Sequence, residues 1–282
     1  MGMIETIQGQ KPTEIPADAP KQPRAVGEAR VGAGAESRLK DLRQAGCCKA
    51  LLPMTAGPGL DAVLVNTAGG ITGGDRILWG GAAAGGARLT LTTQACERGY
   101  RAQPGESGEV RAELSVADGG RIDWLPQETI LFDHCALSRR FDAALEGDAA
   151  LLACESVLFG RAAMGERLEA VEFTDAWRVR RDGKLVFADT LRLSGPDALG
   201  RAFCLDGAGA CATILLAAPG AADMERGARE ALGDAPGAGL SLVADDILVA
   251  RLLAPSGFAL RRRMIPLLAA LRGAPLPKVW TL

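Results

Sequence analysis

From about residue 24 to about residue 195, short apolar stretches alternate with turn signals. These are Pro58-Gly59, Gly85-Gly86, Pro104-Gly105, Asp118-Gly119-Gly120, Gly147-Asp148 and Asp182-Gly183. That rhythm favours an all-β architecture over βαβ units. In EVRAELSVADGGRIDWL, Val110, Ala112, Leu114 and Val116 alternate on one side. Ile122 and Trp124 answer after the turn, so the segment reads as a hairpin. WRVRRDGKLVFADTLRL reads as a second hairpin, with Trp177 and Val179 leading into Asp182-Gly183. An Asp-Gly pair is the strongest short hairpin signal.

Helical periodicity comes late. In AADMERGAREALG (221–233), Met224, Ala228 and Leu232 stand four apart and Gly233 terminates the run. SGFALRRRMIPLLAALRGAPLP predicts a second helix through Leu271, ended by Gly273 and Pro275 and kinked or restarted at Pro266. No fixed-period repeat marks a simple solenoid. Residues 1–23, rich in Pro, Gln, Lys and Glu, predict a disordered arm ahead of one domain over 24–282.

Composition narrows the function classes. With 48% hydrophobic and 23% charged residues, the 282-residue chain has the profile of an ordinary globular protein. A net charge of −2 gives no general pull toward nucleic acid or an anionic membrane. A single tyrosine among 4% aromatics leaves little with which to stack bases. The N-terminus lacks the basic and apolar regions of a secretory signal, and the longest apolar run, Cys211 to Ala218, is too short to span a bilayer. Gly2 with Thr6 fits a myristoylation pattern that matches often by chance. Seven cysteines without C-x-x-C spacing argue against a disulfide framework and structural zinc, and for a reducing cytoplasm.

Three places could carry chemistry. VNTAGGITGGDRI (65–77) is glycine-dense, but Asp75 and Arg76 follow Gly73-Gly74 where a phosphate loop needs Lys and Ser or Thr. Gly69, Gly70, Gly73 and Gly74 therefore read as a structural loop with positive-φ positions. Asn66 and Asp75 keep a functional reading open. His134, between Asp133 and Cys135, suggests a metal or nucleophile site. Adjacent residues on a strand diverge, however, and no G-x-S-x-G accompanies the histidine. Glu155, Glu166 and Asp189 are carboxylates in apolar company. Such groups either pair with arginines or line a polar channel.

The segments NTAGGITGGD, LTTQACERGYR, DWLPQETILFDHCAL, FGRAAMGE, RRDGKLVFAD and LPKVW, in that order, resemble the urease accessory protein UreD (UreH) family over roughly residues 24–282. Departures fall at Cys96, Glu97 and Arg98, where small or basic residues are common, and at His134, where the family often has glycine. The resemblance implies a mainly β fold of extended stacked sheets, a β-helix-like or sandwich body with about two helices towards the C-terminus. It implies a non-enzymatic maturation factor that binds the urease apoprotein and UreF, which docks the GTPase UreG. Nickel then passes through a polar tunnel, with no tightly bound cofactor. Asp75, Glu155 and Asp189 stand at acidic positions of the matching motifs and are the candidates for its lining. Carboxylates suit an ion in transit, because imidazole and thiolate hold nickel(II) more strongly. Two alternatives stay open: a hydrolase using His134 with Asp133 or Cys135, and an adaptor that touches no metal.

Overall fold

The computed structural model describes residues 24–281 apart from Ala56, Ala162, Ala163, Arg167, Pro196, residues 201–204 and Ala235. The arm expected over residues 1–23 lies outside the described residues. Strands are numbered in chain order. One sheet has seven strands, in the order β14 (Lys184–Ser194), β13 (Glu172–Arg181), β11 (Ala136–Leu145), β8 (Gly108–Val116), β5 (Arg76–Ala83), β1 (Val26–Ala33) and β2 (Leu39–Gly46). The second sheet runs β16 (Ala238–Ala244), β17 (Ile247–Ala254), β15 (Ala210–Ala217), β12 (Ala150–Phe159), β9 (Arg121–Leu125), β6 (Arg88–Thr93), β4 (Leu60–Asn66) and β3 (Cys48–Leu51). To it belong β7 (Glu97–Gly99) and β10 (Thr129–Leu131), which link in parallel to β12.

From β4 to β13 the chain alternates between the sheets, so that successive visits to each sheet pair in parallel. The first sheet gains β5, β8, β11 and β13 in this way, and the second β4, β6, β9 and β12. The result is a solenoid-like winding of stacked sheets. It corrects the hairpin expected over 109–125: β8 and β9 lie in opposite sheets, and β8 pairs with β5 and β11 instead. Alternation reports only which side chains face a core, and two strands facing one core from opposite sheets write the same pattern as a hairpin. The coils begin unevenly along the chain, with strands of the first sheet starting at residues 76, 108, 136 and 172, and no repeat is visible. The second expected hairpin is present. β13 and β14 pair antiparallel across Asp182 (φ 50°) and Gly183 (φ 77°), the positive-φ pair such a tight turn needs.

Between the sheets, Val110, Ala112, Leu114, Phe141, Phe173, Trp177 and Val179 meet Leu89, Leu91, Ile122, Trp124, Leu151 and Val157. Burying each large side chain contributes roughly 1.5–3 kcal/mol. The other face of the second sheet carries α1 (Ala221–Leu232) and α2 (Gly257–Arg272), packed over Leu152, Cys154, Ile214 and Leu216. Both helices stop, as expected, at glycines of positive φ, Gly233 (φ 64°) and Gly273 (φ 68°), the second in the left-handed helical conformation. At the start of α2 the Ser256 hydroxyl accepts from Ala259 N, and the helix runs on through Pro266. No helix among the described residues is long and apolar enough to cross a membrane.

Candidate functional site

The crossings between sheets fall at two ends. At one end they are tight: 84–87, 117–120 and 146–149, beside the 182–183 turn. At the other they are 67–75, 100–107, 132–135 and 160–171, of which all but the four-residue 132–135 are longer. This second end holds most of NTAGGITGGD, the Tyr100-Arg101 pair, the Asp133-His134-Cys135 trio and most of FGRAAMGE. Backbone hydrogen bonds stack the segments on one another. Ile71 N donates to Arg98 O (2.7 Å), Phe132 N to Gly99 O (2.9 Å), Gly160 N to Leu131 O (2.8 Å) and His134 N to Ala170 O (2.9 Å). Sequence pieces far apart in the chain thus share one rim.

The glycine stretch shapes this rim. Gly70 has φ 152°, and any side chain there would overlap the Tyr100 ring, whose hydroxyl donates to Gly69 O at 3.1 Å. Asn66 caps the turn through Ala68 N (3.0 Å) and donates to Gly70 O (3.2 Å). Asp75 is buried at the base of the loop. Its Oδ1 accepts from Ala25 N (2.7 Å) and its Oδ2 from Thr72 N (2.8 Å), which ties the loop to the strand entering β1.

Beneath the rim, between the sheets, lies a buried charge centre. Arg139 of β11 meets Glu155 of β12 at 2.6 Å and Asp175 of β13 at 2.7 Å. Trp124 Nε1 donates to Glu155 (2.8 Å), Trp177 Nε1 to Asp175 (3.2 Å) and Arg139 Nη1 to Thr129 Oγ1 (3.1 Å). Two carboxylates share one guanidinium. Burial pushes the Glu155 carboxyl up to about 7, although Arg139 pulls it down. Burial works against the Arg139 charge too, but Asp175 and Glu155 more than offset it and hold the guanidinium protonated.

A second buried network joins the winding to α2. Arg261 donates to Glu128 (3.1 Å) and to Gln127 Oε1 (2.8 Å) and lies over the Trp280 ring. The Cys96 thiol donates to Glu128 at 3.3 Å, and burial, then the Glu128 charge, push it up to about 11.

The other candidates are separate. Asp189, on the edge strand β14, pairs with Arg251 of β17 at 2.7 Å. Glu166 accepts Arg161 through both oxygens at 3.0 Å, a contact that lowers its carboxyl below the usual range. Asp75, Glu155 and Asp189 share no partner, so the structure does not bring them together as one ligand set. Among the described residues, the group of three or more ligating side chains with donor atoms within 4.8 Å of one another is Asp133, His134 and Glu169. Cys135 turns into the core, where burial pushes its thiol up to about 12. Sequence reasoning missed Arg139, Asp175 and Glu128. A signal existed for the first two, since both stand on the inward parity of their strands: Arg139 with Leu137 and Phe141, Asp175 with Phe173 and Trp177.

The family model described as UreD urease accessory protein matches residues 25–281. A urease accessory protein UreD of Ruegeria pomeroyi is 45% identical over 251 residues, covering 88% of this chain and 97% of the relative. A UreD of Sinorhizobium medicae is 47% identical over 268 residues, covering 92% and 96%. One of Rhizobium leguminosarum bv. viciae is 48% identical over 249 residues, covering 87% and 90%.

Proposed function

Because this chain belongs to the UreD family of urease accessory proteins, we propose that it is a urease maturation factor, a scaffold rather than an enzyme. In this reading it works in the cytoplasm and links the urease apoprotein to UreF-like and UreG-like proteins. GTP hydrolysis in the UreG-like partner drives nickel into the urease active site. The observation that carries the reading is the family match across nearly all the described residues. A hydrolase that uses His134 with Cys135 is disfavoured, because that thiol is buried in the core.

The nickel path is the finer part of the proposal, with Asp75, Glu155 and Asp189 as its carboxylates. Glu155 supports it best, as one of two buried carboxylates set around a single guanidinium. The adaptor reading has its own support, since each of the three is already engaged by protein donors. The test is urease activation in cells carrying the urease subunits and the other accessory proteins, with and without this chain, counting nickel per active site. Abundant but nickel-poor urease without the chain is the expected result, and unchanged nickel content would overturn the maturation role. Asp75→Asn, Glu155→Gln and Asp189→Asn then separate the two readings. A conduit loads less nickel with its complexes intact, whereas an adaptor loads the same.

A further inference from the structure

We propose that Asp133, His134 and Glu169 form a surface site for one first-row divalent cation of the nickel or zinc type. The inference stands on donor geometry alone and does not depend on the role in urease maturation. His134 Nε2 lies 3.4 Å from Asp133 Oδ2 and 4.0 Å from Glu169 Oε2. Ligands bound to one ion at ~2.1 Å in a tetrahedron stand ~3.4 Å apart, so the first separation already fits and the second needs a small closure. Glu169 can supply it, its side chain being 83% exposed.

The other two donors are held in place. Asp133 Oδ1 accepts from Glu169 N (2.7 Å) and Ala170 N (3.2 Å), which leaves Oδ2 facing the imidazole. His134 is tied at both backbone ends, its N to Ala170 O (2.9 Å) and its carbonyl to Ala102 N (3.1 Å). Such outer contacts fix ligand orientation before an ion arrives. Arg101 is the competitor, 3.4 Å from Asp133 Oδ2, a long contact on a half-exposed side chain that a divalent ion displaces. One imidazole with two carboxylates selects nickel, zinc or cobalt over magnesium or calcium, which take oxygen donors.

His134 is the only histidine in the chain, so imidazole coordination on the untagged full chain can come from nowhere else. The test is titration calorimetry with Ni²⁺ and Zn²⁺, with Mg²⁺ as comparator, followed by X-ray absorption on the nickel-loaded protein. The expected result is one Ni²⁺ or Zn²⁺ per chain with an imidazole signature. His134→Gly should weaken that binding at least tenfold and Glu169→Gln severalfold. Glycine suits the His134 backbone (φ 59°) better than histidine, so the variant should keep or raise the Tm of the metal-free chain, which separates lost binding from misfolding. No binding to the wild-type chain, equal binding by His134→Gly, absent imidazole scattering, or equal affinity for Mg²⁺ would each overturn the site.

Discussion

Arg139 reaches across the space between the sheets to Glu155 at 2.6 Å, an ion pair buried at both ends. Removing the cation leaves Glu155 and Asp175 as buried carboxylates without their shared partner. Arg139→Met should therefore destabilise the fold by about 3–5 kcal/mol, read from the urea midpoint. Combining it with Glu155→Gln and Asp175→Asn should recover part of that loss, because the uncompensated charge goes with the carboxylates. A triple variant no more stable than Arg139→Met would show that packing, not charge, holds this centre.

The same pair sets a pH dependence. Burial raises the Glu155 carboxyl from 4.5 to about 7 in the folded protein, so across that window the folded state holds a proton the unfolded chain has released. Stability from this group is full below the lower value and is lost as pH rises through the upper one. Unfolding free energies from urea titrations between pH 5 and 8 should fall with a slope of at most about 1.4 kcal/mol per pH unit. Glu155→Gln should flatten that slope. An identical slope in the variant would assign it elsewhere.

Asp75 and Asp189 should part company in stability measurements. Asp75 is buried and accepts two backbone amides. Asp75→Asn keeps one acceptor oxygen and should cost about 1.5–3 kcal/mol. Asp189 faces Arg251, which is 56% exposed, so Asp189→Asn should change stability by less than about 1 kcal/mol. Thermal melts of the two variants check this. They also show how much of any nickel-loading defect at Asp75 is loss of folded protein.

Two neighbouring glycines give a steric test of the rim. Gly69 (φ 78°) has open space where a Cβ would point, whereas a Cβ on Gly70 (φ 152°) would overlap the Tyr100 ring. Gly69→Ala should cost about 1 kcal/mol from backbone strain alone, and Gly70→Ala clearly more. Equal Tm losses would mean that Tyr100 moves aside freely.

The sequence made the strands, the Asp182-Gly183 hairpin and both C-terminal helices readable, because each has a local signature: alternation, a positive-φ pair, a capping glycine. Which strands are partners was not readable. Val110 to Val116 and Ile122 to Trp124 face one core from opposite sheets, and only parallel pairing between distant coils reveals it. The Glu155 pairing was half legible. An arginine partner was expected, but Arg139 lies sixteen positions back, on a strand where its neighbour Arg140 points to solvent and masks it. The Glu166 pairing is the local case, since its partner Arg161 stands five residues away in the same loop.

The unequal ends of the winding divide what the chain is free to change. A residue added to the 117–120 crossing and taken up by β9 would turn Ile122 and Trp124 from the core between the sheets toward the helix side, and would draw Asp123 away from Arg272 of α2 into that core. A residue added to 100–107 or 160–171 extends an irregular segment whose far end is anchored by its own strand, and leaves every register as it was. One end of this molecule can therefore take up insertions that the other would pass on to the core.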